Sequence, residues 1–274
     1  AACWLACGLN PDKVTFYRQS DIPHVFELTW VLSCLSAKGL FNRAHAYKAS
    51  VSNNELAGLK DVDKGITMGL FNYPVLMAAD ILMFNANIVP VGQDQKQHIE
   101  MTRDIAARFN HHYGDTFTIP EALIDDEKGV LPGLDGQKMS KSYGNTIGLR
   151  EAPDEVDQKI RKMQTDPQRV RLTDPGNPDK CPVWNLHEVY SDESVKSWVR
   201  EGCQSAGIGC LDCKKPLIEK VLEEQRPIHE RARQYEENPE LVKSIISEGS
   251  ERARDAAKAT LEEVRSVMGL SFGR

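Results

Sequence analysis

No stretch of this sequence approaches the roughly 20 consecutive apolar residues that a helical membrane span requires, so no such span and no membrane partner are expected. Positive charge is also short. The chain has 34 Lys and Arg against 40 Asp and Glu, a net charge of −6. That balance excludes indiscriminate nucleic-acid binding, though not RNA recognition through a local patch. One such cluster is Lys159, Arg161, Lys162, Arg169 and Arg171, which reads equally as the solvated face of a charged helix. Internal repeats and low-complexity tracts are missing. No basic leader precedes the apolar residues 1–7, which read as part of a core helix rather than a signal peptide. Seven cysteines, an odd number spread unevenly, exclude a fully paired disulfide framework. They fit a reducing, cytoplasmic compartment and thiols used for packing or metal binding.

What remains is an ordinary globular composition, and 274 residues are enough for two domains. Residues 1–150 alternate helical and short apolar segments, the pattern of an α/β layer. A strand is expected at 14–17, followed by a helix capped by Ser20 or Asp21, with Pro23 in its first turn and an end near Gly39. An apolar helix covers 73–82, a short strand 88–91 and an amphipathic helix 96–108. Strand, glycine turn, polar cluster and helix follow one another there, the layout in which α/β sheets bind ligands beyond strand carboxyl ends. From 151 to 259 the pattern turns helical and charged, with amphipathic helices at 191–199, 216–224 and 241–267.

Three places carry candidate chemistry. Lys138-Met139-Ser140-Lys141-Ser142 sets two lysines and two hydroxyls on a glycine-flanked loop, which reads as a solvated turn or as a phosphate cradle. Asp80 lies inside an apolar helix turn. It is either a core carboxylate satisfied by its neighbours or an acceptor for a ligand N–H in a pocket walled by Met77, Val89 and Val91. Gly92, Asp94 and Gln95 open the backbone to a ligand and offer a carboxylate and an amide for a cationic amino group or a ribose. His98 and Glu100 read as supporting or surface groups. Cys181, Cys203, Cys210 and Cys213 fall within 33 residues and argue for a metal centre, whereas Cys3, Cys7 and Cys34 read as core packing. Only the last two of the four thiols are closely spaced, which suits an iron–sulfur cube better than the paired spacing usual for Zn²⁺.

The Lys138–Ser142 pentapeptide resembles, letter for letter, the KMSKS signature of class I aminoacyl-tRNA synthetases. Phe71-Asn72-Tyr73-Pro74-Val75-Leu76-Met77-Ala78-Ala79-Asp80-Ile81-Leu82, Val89-Pro90-Val91-Gly92-Gln93-Asp94-Gln95-Lys96-Gln97-His98 and Thr102-Arg103-Asp104 resemble the bacterial tryptophanyl-tRNA synthetases, over essentially the whole chain. The resemblance implies a Rossmann-like catalytic domain at 1–150, rejoined by 260–274, and a helical anticodon-binding domain at 151–259. It implies that Asp80 accepts the indole N–H, that Met77, Val89 and Val91 wall the ring, and that Tyr73 and Gln95 hold the amino-acid end. Gly92 and Asp94 would then lie toward the adenylate. Lys138, Ser140 and Lys141 would be catalytic and, with Met139, Ser142 and Lys48, would bind ATP with Mg²⁺. The implied partners are L-tryptophan, ATP, tRNA(Trp) and a second copy of the chain. The four cysteines resemble the [4Fe-4S] motif of some members, with one residue fewer in the first gap and Zn²⁺ as the alternative.

The family's other signature, His-x-Gly-His or His-x-Gly-Asn, occurs nowhere in the sequence. The resemblance therefore predicts a chain lacking about the first seventy residues of the nucleotide-binding half, with adenylate formation impaired. Two rivals stay open: a non-catalytic, synthetase-derived protein that binds tRNA or tryptophan, and a tyrosyl enzyme.

Overall fold

The computed structural model describes residues 1–124 and 131–271. In chain order its elements are α1 (Ala2–Ala6), α2 (His24–Leu35), α3 (Lys38–Phe41), α4 (His45–Leu56), α5 (Met68–Leu82) and β1 (Ile88–Pro90). There follow α6 (Lys96–Tyr113), β2 (Glu121–Leu123), α7 (Pro153–Lys162), α8 (Pro182–Tyr190), α9 (Glu193–Gln204), α10 (Cys210–Glu237) and α11 (Pro239–Val267). Packing divides the chain into two compact units. One comprises Thr15–Glu127 with Ser244–Arg274, the other Ala1–Val14 with Lys128–Lys243.

In the unit containing α5, the apolar positions of that helix decide its surroundings. Thr67 caps it by accepting from the Leu70 N–H at 3.2 Å, and Val75, Ala78, Ala79 and Leu82 are wholly buried. Small side chains at Ala78 and Ala79 let neighbouring helices close in, and α2 and α6 both pack on α5. Val25, Leu28 and Leu32 of α2 and Met101, Ile105, Ala106 and Phe109 of α6 recur at helical spacing and fill the same core. Each fully buried Leu or Phe there contributes about 1.5–3 kcal/mol. The core is completed by Ala253, Ala257, Leu261 and Val264 of α11.

β1 and β2 pair in parallel, with Val89 opposite Ala122, and α6 forms the crossover between them. A parallel pair needs such a crossover, so β1–α6–β2 is a βαβ unit whose ligand side is the carboxyl end of β1. Pro90 is tolerated because each strand of a two-stranded sheet has a free edge.

In the other unit, α10 packs against α1, α7, α8 and α9. Its core joins Val156, Ile160, Val183, Leu186, Leu217 and Val221, with Leu131, Leu134 and Ile147 packed against it. The residues around the lysine loop thus pack within the helical unit. Packing accordingly draws boundaries different from the expected 1–150 and 151–259.

Several local expectations need correction. Residues 14–17 form no strand, because among the described residues only β1 and β2 pair as strands. Neither Ser20 nor Asp21 caps α2. Gln19–Asp21 make a 3-10 turn, and Asp21 is engaged by Arg18 Nη2 at 2.7 Å and by Ser250 Oγ at 2.9 Å. α2 stops at Leu35 because Ser36 turns extended, with ψ 133°. Cys34 and Cys7 are exposed and Cys3 only half-buried, so none is a core residue in full. Cys34 follows Phe26 and Trp30 down the solvent-facing side of α2, which also keeps those two rings exposed.

The closest backbone approach in this packing is at Gly249 of α11. A Cβ there would fall 1.9 Å from the Phe16 carbonyl oxygen, which cannot rotate away. Gly249→Ala should destabilise the protein by about 1–3 kcal/mol through overpacking, read as a lower urea midpoint at unchanged slope.

Candidate functional site

Asp80 stands on α5 between buried Ala79 and Ile81 and is itself half-buried. Its Oδ2 accepts from Gln19 Nε2 at 2.6 Å. Its Oδ1 is buried with no hydrogen-bond donor. The carboxylate is therefore neither wholly a satisfied core group nor a free one: one oxygen is fixed and the other has no donor from the protein. Burial raises the Asp80 carboxyl above its ordinary range, and the Gln19 bond opposes that shift. Tyr17 lies within the same field, its hydroxyl pushed up by burial and then by the Asp80 charge, and its ring meets Phe84 at 5.3 Å. Gln19 and Tyr17 went unread in the sequence, since both fall where a strand and a cap were expected.

A second chain of bonds runs off the carboxyl end of β1. Gln95 Nε2 donates to Asp94 Oδ2 at 3.0 Å, and Gln95 Oε1 lies 3.0 Å from His98 Nδ1. An amide oxygen only accepts, so Nδ1 carries the proton. Burial lowers the His98 pKa, with His45 adding to that and Asp94 opposing, so the ring is neutral and Nε2 accepts. Tyr73 Oη, 2.7 Å from Nε2, is then the donor. Its hydroxyl proton being committed, the Tyr73 oxygen presents lone pairs. His98 is 5% exposed and links Tyr73 to Gln95, so of the two roles expected of it the supporting one matches its position and the surface one does not. Glu100 is exposed, 3.7 Å from Arg103.

Met77, Val89 and Val91 are half-buried, Val89 within β1 and Val91 just past its end. Gly92 is exposed, and a Cβ on it would lie 2.8 Å from Asp94 Oδ1, so glycine lets that carboxylate fold back. Lys48 is exposed on α4 and joins neither chain of bonds.

In the other unit the lysine loop is organised by a residue the sequence reading passed over. Asn145 is 4% exposed. Its Oδ1 accepts from Ser140 N at 2.7 Å, and its Nδ2 donates to Asp135 Oδ1 at 2.7 Å and Lys138 O at 3.1 Å. Gly133 makes this possible, since a Cβ there would lie 2.2 Å from Asn145 Nδ2. The loop is pinned at its base, Ser140 and Ser142 hydroxyls meet at 2.7 Å, and Lys138 and Lys141 are exposed. Two mobile cations on a fixed loop suit a polyanion.

Cys181, Cys203, Cys210 and Cys213 line one enclosed cavity of about 20 Å³ together with Thr165, Asp166, Arg169 and Val183. Burial pushes the Cys213 thiol up to about 12, with the other three cysteines adding to it. Yet among the described residues no group of His, Cys, Asp or Glu side chains is drawn together closely enough to hold a metal ion. The four thiols converge without forming a metal centre.

Because the Asp80 pKa is raised in the folded state, its ionised form opposes folding above that pKa, and the penalty vanishes below the unfolded carboxylate range. Asp80→Asn should therefore melt higher than the parent at pH 7, with the gap closing as the pH falls toward 4, about the ordinary carboxylate range. A melting temperature lowered at pH 7 would contradict this.

The profile of the tRNA synthetases class I (W and Y) matches residues 1–224. The chain is 47% identical over 272 residues to the tryptophan–tRNA ligase of Neisseria meningitidis, covering 98% of this chain and 80% of that protein. It is 45% identical to the one from Deinococcus radiodurans, covering 96% and 78%. A Campylobacter jejuni tryptophanyl-tRNA synthetase solved with ADP and tryptophan superposes with a TM-score of 0.80 at 38% identity, covering 98% of this chain and 81% of that one. The small parallel sheet with its crossover helix and the helical unit agree with that fold. This chain belongs to the class I tRNA synthetases of the tryptophan and tyrosine group.

Proposed function

We propose that the protein is a tryptophan–tRNA ligase, which activates L-tryptophan with ATP and transfers it to tRNA(Trp). The observation that carries the choice of amino acid is the buried Asp80 Oδ1 without a donor. An indole N–H supplies that donor. Phenylalanine has none and would leave the oxygen unpaired, at a cost of about 1–3 kcal/mol. Tyrosine offers its donor at a different reach. Met77, Val89 and Val91 supply the apolar wall, and the lone pairs of Tyr73, fixed through His98 and Gln95, suit the substrate ammonium. The relatives' names and the tryptophan in the Campylobacter structure support the same reading.

Activation is an in-line attack of the tryptophan carboxylate on the α-phosphate of ATP. The bond to the β-phosphate breaks and pyrophosphate leaves. Lys138 and Lys141, with Ser140 and Ser142, hold phosphate oxygens and stabilise the charge that grows there, as Mg²⁺ does when bound with ATP. Met139 belongs to the same ATP-binding loop, Gly92 and Asp94 face the adenylate, and Lys48 contacts the pyrophosphate. In the second step the terminal ribose hydroxyl of tRNA attacks the mixed anhydride and AMP leaves. No nucleophilic side chain is required, because positioning and charge stabilisation do the catalysis. The helical unit reads splayed anticodon bases, and the enzyme acts as a cytoplasmic homodimer.

The metal reading of the four thiols rests on their donor chemistry alone: Cys181, Cys203, Cys210 and Cys213 line one cavity with the half-buried Arg169, though the side chains are not drawn together as ligands. Their irregular spacing favours [4Fe-4S]. The small cavity favours a single Zn²⁺, which is the second reading. Its role is structural, holding the loops of the helical unit, and iron analysis after anaerobic purification separates the two.

Titration calorimetry tests the amino-acid assignment. Tryptophan should bind, phenylalanine should bind about 10–100-fold more weakly, and Asp80→Ala should lose a comparable factor for tryptophan alone. Equal affinities in parent and variant would refute it.

A further inference from the structure

Asp80 sits on α5, but the side chain that engages it comes from a stretch of backbone without regular structure. Residues 15–18 belong to no helix or strand, and Gln19–Asp21 form a single 3-10 turn. What holds this arm is α11, and the Ser244–Arg274 part of that helix segment lies in the same unit as the arm. Gly249 lets the Phe16 backbone lie against the helix, where a Cβ would run into the Phe16 carbonyl oxygen. Ser250, 2% exposed and 229 residues beyond Asp21, donates from Oγ to Asp21 Oδ2 at 2.9 Å. The same Oγ lies 3.5 Å from the Arg18 backbone nitrogen. Arg18 closes the turn onto the other Asp21 oxygen, from Nε at 2.9 Å and from Nη2 at 2.7 Å. The Arg18 bond first, and then that of Ser250, hold the Asp21 carboxyl below its ordinary range, so it stays ionised as the acceptor of the clasp.

The turn fixed in this way opens on Gln19, whose Nε2 donates to Asp80 Oδ2 at 2.6 Å. An untethered carboxylate turns about its Cβ–Cγ bond, a broad two-fold torsion. Tethered at Oδ2, it presents Oδ1 in one direction, and that oxygen is buried without a donor. The bond also acts on charge. Donation to the ionised form favours it, against the burial that raises the Asp80 carboxyl. Only a donor can do both. A carboxylate of the same length at position 19 would accept and repel instead.

We propose that Gln19 is a specificity-determining positioning residue for the indole acceptor, and that the Ser250–Asp21 clasp on α11 holds it in place. The inference rests on the reading of Asp80 as acceptor of an indole N–H and adds the groups that aim it. Gln19 acts through Asp80 alone. It therefore governs ligands that donate to Oδ1 and is silent toward those that fill the apolar wall without donating. Ser250 acts one step further back, by keeping the turn that carries Gln19 against α11.

Calorimetry of the full chain with two ligands tests this: L-tryptophan, and 3-benzothienyl-L-alanine, the same ring shape with sulfur in place of the N–H. The parent should prefer tryptophan by about 10–100-fold. Gln19→Leu should bind tryptophan about tenfold more weakly while the sulfur analogue stays within about twofold of its parental affinity. Gln19→Glu keeps the length and shape of the side chain but has no donor when ionised, so at pH 7 it should fall at least as far. Ser250→Ala should narrow the preference in the same direction, by about threefold. Gln19 is exposed, so damage to the core does not confound its variants. A parental preference in Gln19→Glu would overturn the proposal, since a donor would then be dispensable. Equal losses of both ligands in Gln19→Leu would overturn it too, as the mark of a pocket merely loosened. An unchanged preference in Ser250→Ala would overturn the part given to α11. A parent that binds both ligands alike would instead refute the indole reading of Asp80, and the role of Gln19 with it.

Discussion

One hydrogen bond, from Gln19 to Asp80, sets the terms for the first unit's chemistry. It fixes one carboxylate oxygen at 2.6 Å and leaves the other buried without a donor. An unsatisfied acceptor in an apolar setting is a standing cost, and a ligand that brings the missing N–H recovers it. Selectivity comes from the same cost, because a ring of similar size without a donor leaves it in place. α2 and α6 pack on the helix that carries Asp80, and burial of that carboxylate is what raises its pKa. Core and site are here the same residues seen from two sides.

The same device recurs with different groups. The Asp94–Gln95–His98–Tyr73 chain commits the His98 Nδ1 proton and the Tyr73 hydroxyl proton and ends in a hydroxyl oxygen whose lone pairs can accept. Asn145 occupies both ends of its amide in binding the lysine loop at its base, so that Lys138 and Lys141 reach solvent from a fixed frame. In each case partners inside the protein hold a polar group in place and leave one face of it open. Preorganisation of this kind lowers the ordering cost of binding and of the charged transition state.

Much of this was legible in the residues themselves. α5, β1 and α6 announce themselves through apolar periodicity, and the lone carboxylate on α5 stands out because a charge in that row needs a reason. The lysine loop is readable as letters. Groups whose roles arise only from tertiary approach are not. Gln19, Tyr17 and Asn145 are unremarkable in their local sequence and matter because the fold brings Asp80 or Ser140 to them. His98 lies on the buried stripe of α6, and that periodicity was the available signal that it was no surface group. Cys34 shows the reverse error: an apolar neighbourhood along the chain placed it inside, whereas helical phase puts it beside Phe26 and Trp30 on the outer face. The unit boundaries escaped for a related reason, since composition changes near residue 150 while the packing of Leu131, Leu134 and Ile147 does not.

The central claim is that the open oxygen of Asp80 takes an indole N–H. Tryptophan labelled with ¹⁵N at the indole nitrogen reports on it directly, through the shift of the attached proton when protein is added. A short bond to a carboxylate should move the bound indole proton well downfield, and Asp80→Ala should abolish that shift while the other tryptophan signals still show contact with the protein. An identical bound indole shift in the parent and in Asp80→Ala would contradict the account.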